Sequence, residues 1–324
     1  MVNTKLTPAC WRDTLLHSFS QVLFQSHRGC GALILLAIGL ESITALLGSL
    51  LGWGGALLGA RLIRADSAMI RAGYYGFNGA LVGLALNLLL GLSWFSLACI
   101  LAFSALSAPL VQLQIRRWRI PPYTSAFVLL SWSAWLLASM LELLPIAAIP
   151  DVATSHAAAL DTAMADAATG AISLQQWSAG LIRGLGQVFF LGSLPAGLLI
   201  LAALALSAPR NALWGLAGAL LGSLIASLCN VLADTPLFSP QDIAAGLFGY
   251  NGALAALALL QRFPRQPAII IAGVVLATAL QPLFGIIGLP AFTAPFVLAC
   301  WLIVILASIL HRQQQKKTPT HLAP

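Results

Sequence analysis

One 14-residue segment is written twice in this chain, and the repetition constrains the fold more than any other feature. Gly73–Leu86 reads GYYGFNGALVGLAL and Gly246–Leu259 reads GLFGYNGALAALAL, identical at nine of 14 positions and 173 residues apart. Each copy places a Gly/aromatic turn and one Asn, Asn78 or Asn251, ahead of a short apolar stretch. The surroundings are apolar too: 60% of the 324 residues are hydrophobic, 8% are charged, and the mean hydropathy is +0.93. A soluble chain carries about a quarter charged residues, so this composition reads as an integral membrane protein with many spans. In such a chain a duplicated, Gly-broken segment points to a solute pathway between two related halves.

At about 20 apolar residues per span there is room for roughly ten crossings. Apolar stretches fall near 10–26, 30–50, 51–65, 75–90, 93–115 and 123–145, and again near 172–191, 194–207, 211–232, 246–261, 267–288 and 292–311. Each set offers five crossings and one segment too short and too Gly-led to cross. Residues 76–88 would make a helix of roughly 20 Å against a ~30 Å hydrocarbon core. They and 249–261 are expected as re-entrant half-helices, which is tolerable where irregular backbone lines a cavity. The expected fold is all-α: ten transmembrane helices and two re-entrant half-helices in two inverted-topology repeats. The repeats are 1–145 and 172–311, joined by a connector at 146–171 and followed by a tail at 312–324.

Charge sets the orientation. Arg116, Arg117, Arg119, Arg312, Lys316 and Lys317 are expected in the cytoplasm, together with both termini, in a cell (inner) membrane. The connector carries Asp151, Asp161 and Asp166, with no Lys or Arg from Ile120 to Ile182, and is expected outside. Arg61, Arg64 and Arg71 fall on the external side in this threading, against the rule. Lys5, Arg12 and Asp13, with no small-residue cleavage site near them, argue against a removed signal peptide. The polar stretch from Gln313 is expected to be disordered.

The net charge of +7 is scattered over segment ends, so it marks topology and not a nucleic-acid partner. Five Cys without a CxxC or a Cys/His cluster suggest neither disulfide framework nor zinc, and no metal or cofactor is expected. The five His are dispersed, which does not suggest an ammonia-type His pair. No span carries a clustered Asp, His or Cys constellation, so an enzyme is disfavoured. Glu41 lies within an apolar stretch, where it could serve as a proton relay; a structural carboxyl is the preferred reading. Gly48, Gly52, Gly54, Gly55 and Gly59 form a small-residue face suited to close helix packing.

Two more pairs share the duplication. Gln21-Val22-Leu23-Phe24 matches Gln187-Val188-Phe189-Phe190, and the segment Tyr123 to Leu129 matches Phe292 to Leu298. On this ordered set the chain resembles the urea transporter family over nearly its whole length. The resemblance implies a homotrimer in the lipid bilayer with one pore per subunit. Urea would pass down a narrow slot with apolar walls and a ladder of oxygen acceptors along one edge. Carried over, Gln21, Val22 and Phe24 with Gln187, Val188 and Phe190 would border the two mouths. Phe77 with Leu81, and Tyr250 with Leu254, would supply further walls, and Thr124 and Thr293 would meet at the middle constriction. The typical Asn-Pro turn after the first Gln-Val-x-Phe segment is replaced here by Ser26 to Gly31, and Tyr250 stands where Phe is more usual.

The residues themselves leave blander readings open. Asn78 and Asn251 could bind a solute, but Asn is also a favoured N-cap, and capping of the half-helices is preferred. The aromatics could be packing residues, and Thr124 and Thr293 could bond back to their own helices. Passive, channel-like facilitated diffusion of urea is the leading function. A channel for another small neutral solute, such as a short amide, ammonia or water, is the alternative. An ion-coupled transporter is disfavoured, because charges near the midplane are nearly absent.

Overall fold

The computed structural model describes residues 8–142, 173–232 and 238–317, and the connector at 146–171 lies outside them. The first seven helices are α1 (Pro8–Gln21), α2 (Arg28–Glu41), α3 (Ile43–Leu62), α4 (Ser67–Arg71), α5 (Gly76–Leu90), α6 (Trp94–Arg117) and α7 (Ser125–Met140). The second seven are α8 (Leu174–Gly186), α9 (Leu194–Ser207), α10 (Pro209–Leu232), α11 (Pro240–Ala244), α12 (Tyr250–Arg262), α13 (Pro267–Ile286) and α14 (Ala294–Lys317). A 3-10 turn at Gln187–Phe189 extends α8. No strand occurs among the described residues. Helix lengths recur in order, and so do the unusual backbone angles. Phe24 and Phe190 both sit at φ 60°, Gly73 and Gly246 at 85° and 82°, and Tyr123 and Phe292 at 49° and 43°. Left-handed backbone costs a non-Gly residue on the order of 1–2 kcal/mol, so two recurring non-Gly pairs mark built features.

Among the described residues four helices are long and apolar enough to cross a bilayer: α3, α6, α10 and α13. A fifth passage is available if α8 with its 3-10 turn and α9, bent by 75°, form one broken span. Helices α5, α7 and the apolar part of α14 to Leu310 are shorter. The half-helix boundaries expected at 76–88 and 249–261 lie within two residues of α5 and α12.

Several expectations are corrected. The second stretch ends at Glu41 and not near 50, because Ser42 takes an extended backbone and its hydroxyl accepts the Ala45 N–H. That N-cap satisfies one of the orphan donors of α3 and outweighs the unbroken hydropathy on either side. The short helices α4 and α11, started by Asp66 and by Pro240, escaped the hydropathy reading altogether. Helix α14 continues to Lys317, so residues 313–317 are helical where disorder was expected. The Arg61 guanidinium lies 4.2 Å from the Trp11 ring centre, against the first turn of α1. Arg61 therefore shares an end of the molecule with the start of α1, whereas the threading put a bilayer between them.

Glycine sets the closest approaches. A Cβ added at Gly52 would lie 2.2 Å from the Gly79 carbonyl oxygen, and one at Gly83 would lie 2.1 Å from that of Gly48. Helices α3 and α5 thus touch backbone to backbone. Gly59 does the same against Ala105 of α6 at 2.0 Å, whereas Gly54 meets nothing within 4 Å and is not part of that contact. In the second set Gly218 approaches the Gly252 carbonyl, and Gly222 that of Phe248. Glu41, at the end of α2, accepts the Gly192 and Ser193 N–H groups (3.1 and 3.2 Å) and the Ser193 hydroxyl at the start of α9. The carboxyl thus occupies the N-terminus of α9, where the first N–H groups of a helix lack intrahelical partners. In exchange, Ser207 at the end of α9 donates to Gln25, just before α2, at 2.9 Å.

Candidate functional site

The site forms where the N-termini of α7 and α14 meet. Thr124 and Thr293 are the N-cap residues preceding these helices, and each carbonyl accepts the N–H four residues on, at 3.0 and 3.1 Å. Their hydroxyls face each other, with Oγ1 atoms 2.6 Å apart and both residues buried. The expected meeting of the two Thr is therefore observed, and the back-bonding alternative is not.

The hydroxyls are free to meet because another residue does the capping. Asn78 Oδ1 accepts the Phe127 N–H of α7 at 3.0 Å, and its Nδ2 donates to the Tyr123 carbonyl at 3.3 Å. Asn251 treats α14 in the same way, accepting the Phe296 N–H at 3.2 Å and donating to the Phe292 carbonyl at 3.2 Å. Both Asn are fully buried, Asn78 in the third position of α5 and Asn251 in the second of α12. They do cap helices, but the helices they cap are α7 and α14. The expected capping of their own half-helices is wrong because Tyr75 and Gly249 hold those N-cap positions.

Two groups of three rings flank the Thr pair, and each draws on both sets of helices. Phe24 and Tyr123 pack edge-on with Phe296, centroids 5.3–5.9 Å apart. Phe190 and Phe292 pack with Phe127, centroids 5.4–6.2 Å apart. Trp indoles brace the turns ahead of the rings. Trp132 Nε1 donates to the Pro290 carbonyl and Trp301 Nε1 to that of Pro121, each at 2.8 Å and each from the opposite set of helices.

A cavity lies against each ring group. The first, about 460 Å³, is lined by Gln21, Phe24, Phe77 and Tyr123 among others. The second, about 220 Å³, is lined by Gln187, Phe190, Tyr250 and Phe292 in matching places. Gln21 Nε2 donates to Ser26 Oγ at 2.9 Å and Gln187 Nε2 to the Ala245 carbonyl at 3.1 Å, so both amides are held at their cavity edges. Of the twelve expected site residues, six line the two cavities, and Thr124 and Thr293 bond to each other next in sequence to Tyr123 and Phe292, which line them. Val22, Leu81, Val188 and Leu254 are almost wholly buried in the core and line neither cavity. The sequence reading overlooked Tyr123, Phe292, Phe127 and Phe296 as ring-group members. All four stood in the matched segment already noticed, adjacent to the Thr or three residues on.

The chemistry on offer is narrow. Flat apolar walls, two amides, paired hydroxyls and backbone carbonyls can replace the water around a small planar solute rich in N–H groups. Among the described residues no cluster of three His, Cys, Asp or Glu side chains is placed to hold a metal ion.

Residues 12–308 match the family model described as urea transporter. The chain is similar to proteins named urea transporter 1 from Ovis aries and Capra hircus, at 28% identity over 91% of this chain and 77% of theirs. The protein of the same name from Mus musculus matches at the same identity and coverage.

Proposed function

The chain belongs to the urea transporter family, and on that premise we propose that it carries urea across a membrane as a passive channel and is not an enzyme. The observation that supports the channel reading best is the 2.6 Å Thr124–Thr293 bond between two aromatic-lined cavities. On this reading a solute moving from one cavity to the other takes the place of that bond. Urea suits the exchange, since its four N–H groups and one carbonyl can bond both hydroxyls at once, each hydroxyl being donor or acceptor. The rings on either side hold the molecular plane, and an ion would meet a dehydration barrier between them.

The reading carries the remaining expectations with it. Ten crossings in two inverted repeats, three subunits each with its own pore, a cell (inner) membrane and cytoplasmic termini make up the proposed assembly. Val22, Leu81, Val188 and Leu254 back the walls that the lining residues present, and the carbonyls near the helix starts supply the oxygen ladder. Stopped-flow light scattering of proteoliposomes under a urea gradient tests the function. The expected result is rapid, saturable swelling recovery; recovery no faster than in protein-free vesicles would refute it.

A further inference from the structure

The two cavities differ where the repeated segments differ. Position 77 is Phe and its counterpart, position 250, is Tyr; position 108 on α6 is Ala and its counterpart on α13, position 281, is Gln. Both differences add a donor to the second side, and both donors are spent on backbone carbonyls. Tyr250 Oη donates to the Phe292 carbonyl at 2.7 Å, which also accepts from Asn251 Nδ2 at 3.2 Å. Gln281 Nε2 donates to the Leu247 carbonyl. A carbonyl oxygen has two lone pairs, so Phe292 has none left for a solute. Among the described residues the matching Tyr123 carbonyl accepts from Asn78 Nδ2 only, and so keeps one. Beside that carbonyl on the second side stands the Tyr250 oxygen, which retains lone pairs after donating its proton. It stands in the smaller cavity, about 220 Å³ against about 460 Å³.

We infer that Tyr250 is the specificity-determining residue of the second mouth, and the inference rests on the urea-conducting reading above. Its hydroxyl closes off the Phe292 carbonyl and puts an oxygen on the wall of the narrower cavity, which Gln187, Asp242 and Gln281 also line. A diamide with N–H groups on both edges can bond that oxygen as it passes. N-methylurea keeps three N–H groups, but when its methyl-bearing edge faces that oxygen the oxygen is left desolvated without a donor and the space is crowded. Phe at 250 would replace the oxygen with an apolar edge that tolerates the methyl group and would return a lone pair of Phe292 to the solute.

The test compares wild type, Tyr250→Phe and Phe77→Tyr, reconstituted and assayed by stopped flow with urea and with N-methylurea. The ratio of the two permeabilities cancels differences in protein amount, and general loosening would not move it. One methyl group in a fitted pocket discriminates by about tenfold or more, so Tyr250→Phe should raise the N-methylurea/urea ratio by at least about fivefold. Phe77→Tyr, in the larger cavity, should leave it within about twofold of wild type. A Tyr250→Phe ratio within about twofold of wild type would overturn the inference while leaving urea conduction intact. So would a larger change from Phe77→Tyr than from Tyr250→Phe. Wild-type vesicles that pass neither solute would overturn the urea reading itself, and this inference with it.

Discussion

Replacing Asn78 with Ala removes a side chain that touches no solvent and holds two backbone groups at once. The Phe127 N–H loses an acceptor at 3.0 Å and the Tyr123 carbonyl loses its donor at 3.3 Å. The side chain is fully buried, and a buried orphaned group costs about 1–3 kcal/mol. The sum is about 2–6 kcal/mol, which at about 2 °C per kcal/mol lowers the melting midpoint by roughly 4–12 °C. Thermal unfolding of the detergent-solubilised protein, followed by loss of its gel-filtration peak, measures this. Asn251→Ala should cost less, because Tyr250 still donates to the Phe292 carbonyl at 2.7 Å and the Gln281 side chain can turn to a new partner. Adding Tyr250→Phe to Asn251→Ala strips that carbonyl and should cost more than the two single changes together. If Asn78 instead served only to bind solute, Asn78→Ala would lose flux with its midpoint unchanged. A midpoint within about 1 °C of wild type (~0.5 kcal/mol) would refute the capping argument.

Three further outcomes are expected. Thr124→Val and Thr293→Val keep the volume but remove a hydroxyl from the central bond, so urea flux should fall by about one to two orders of magnitude, with Thr→Ser near wild type; a Val double mutant within about twofold of wild type (~0.4 kcal/mol) would show that the hydroxyls are not used. Urea should equilibrate across proteoliposomes and never accumulate under an imposed proton or sodium gradient; accumulation against its own gradient would show coupling. Gly83→Ala drives a Cβ to 2.1 Å from the Gly48 carbonyl and should destabilise by about 1–3 kcal/mol or more. Gly54→Ala, with nothing within 4 Å, should stay within about 1 kcal/mol of wild type in the same melting assay.

What could be read from the chain was what recurs in it. Nine matching residues around Asn78 and Asn251 located α5 and α12 to within two residues, and the Thr-x-x-Phe pair foretold a meeting 169 residues apart in sequence. Helix ends set by one polar side chain were harder. Ser42 breaks an apolar run through an N-cap bond that hydropathy does not register. The Asn pair was misread for a related reason: a capping side chain was assumed to serve its own helix, and only tertiary packing brings the start of α7 to Asn78. Arg61 was misplaced because an aromatic partner 50 residues earlier, Trp11, cannot be inferred from a count of crossings.

Each ring group beside the Thr pair borrows one member from the opposite set of helices, Phe296 in one case and Phe127 in the other. A carrier that exposes its site first to one side and then to the other must swing one bundle against its twin. Here such rocking would pull Phe296 from Tyr123 and Phe127 from Phe292, and would tear Trp132 and Trp301 from the turns they brace. The lining is stitched across the plane along which a carrier would have to open. On the channel reading proposed above, conduction would proceed through a frame that stays assembled, with side-chain rotation as the largest motion each passage requires.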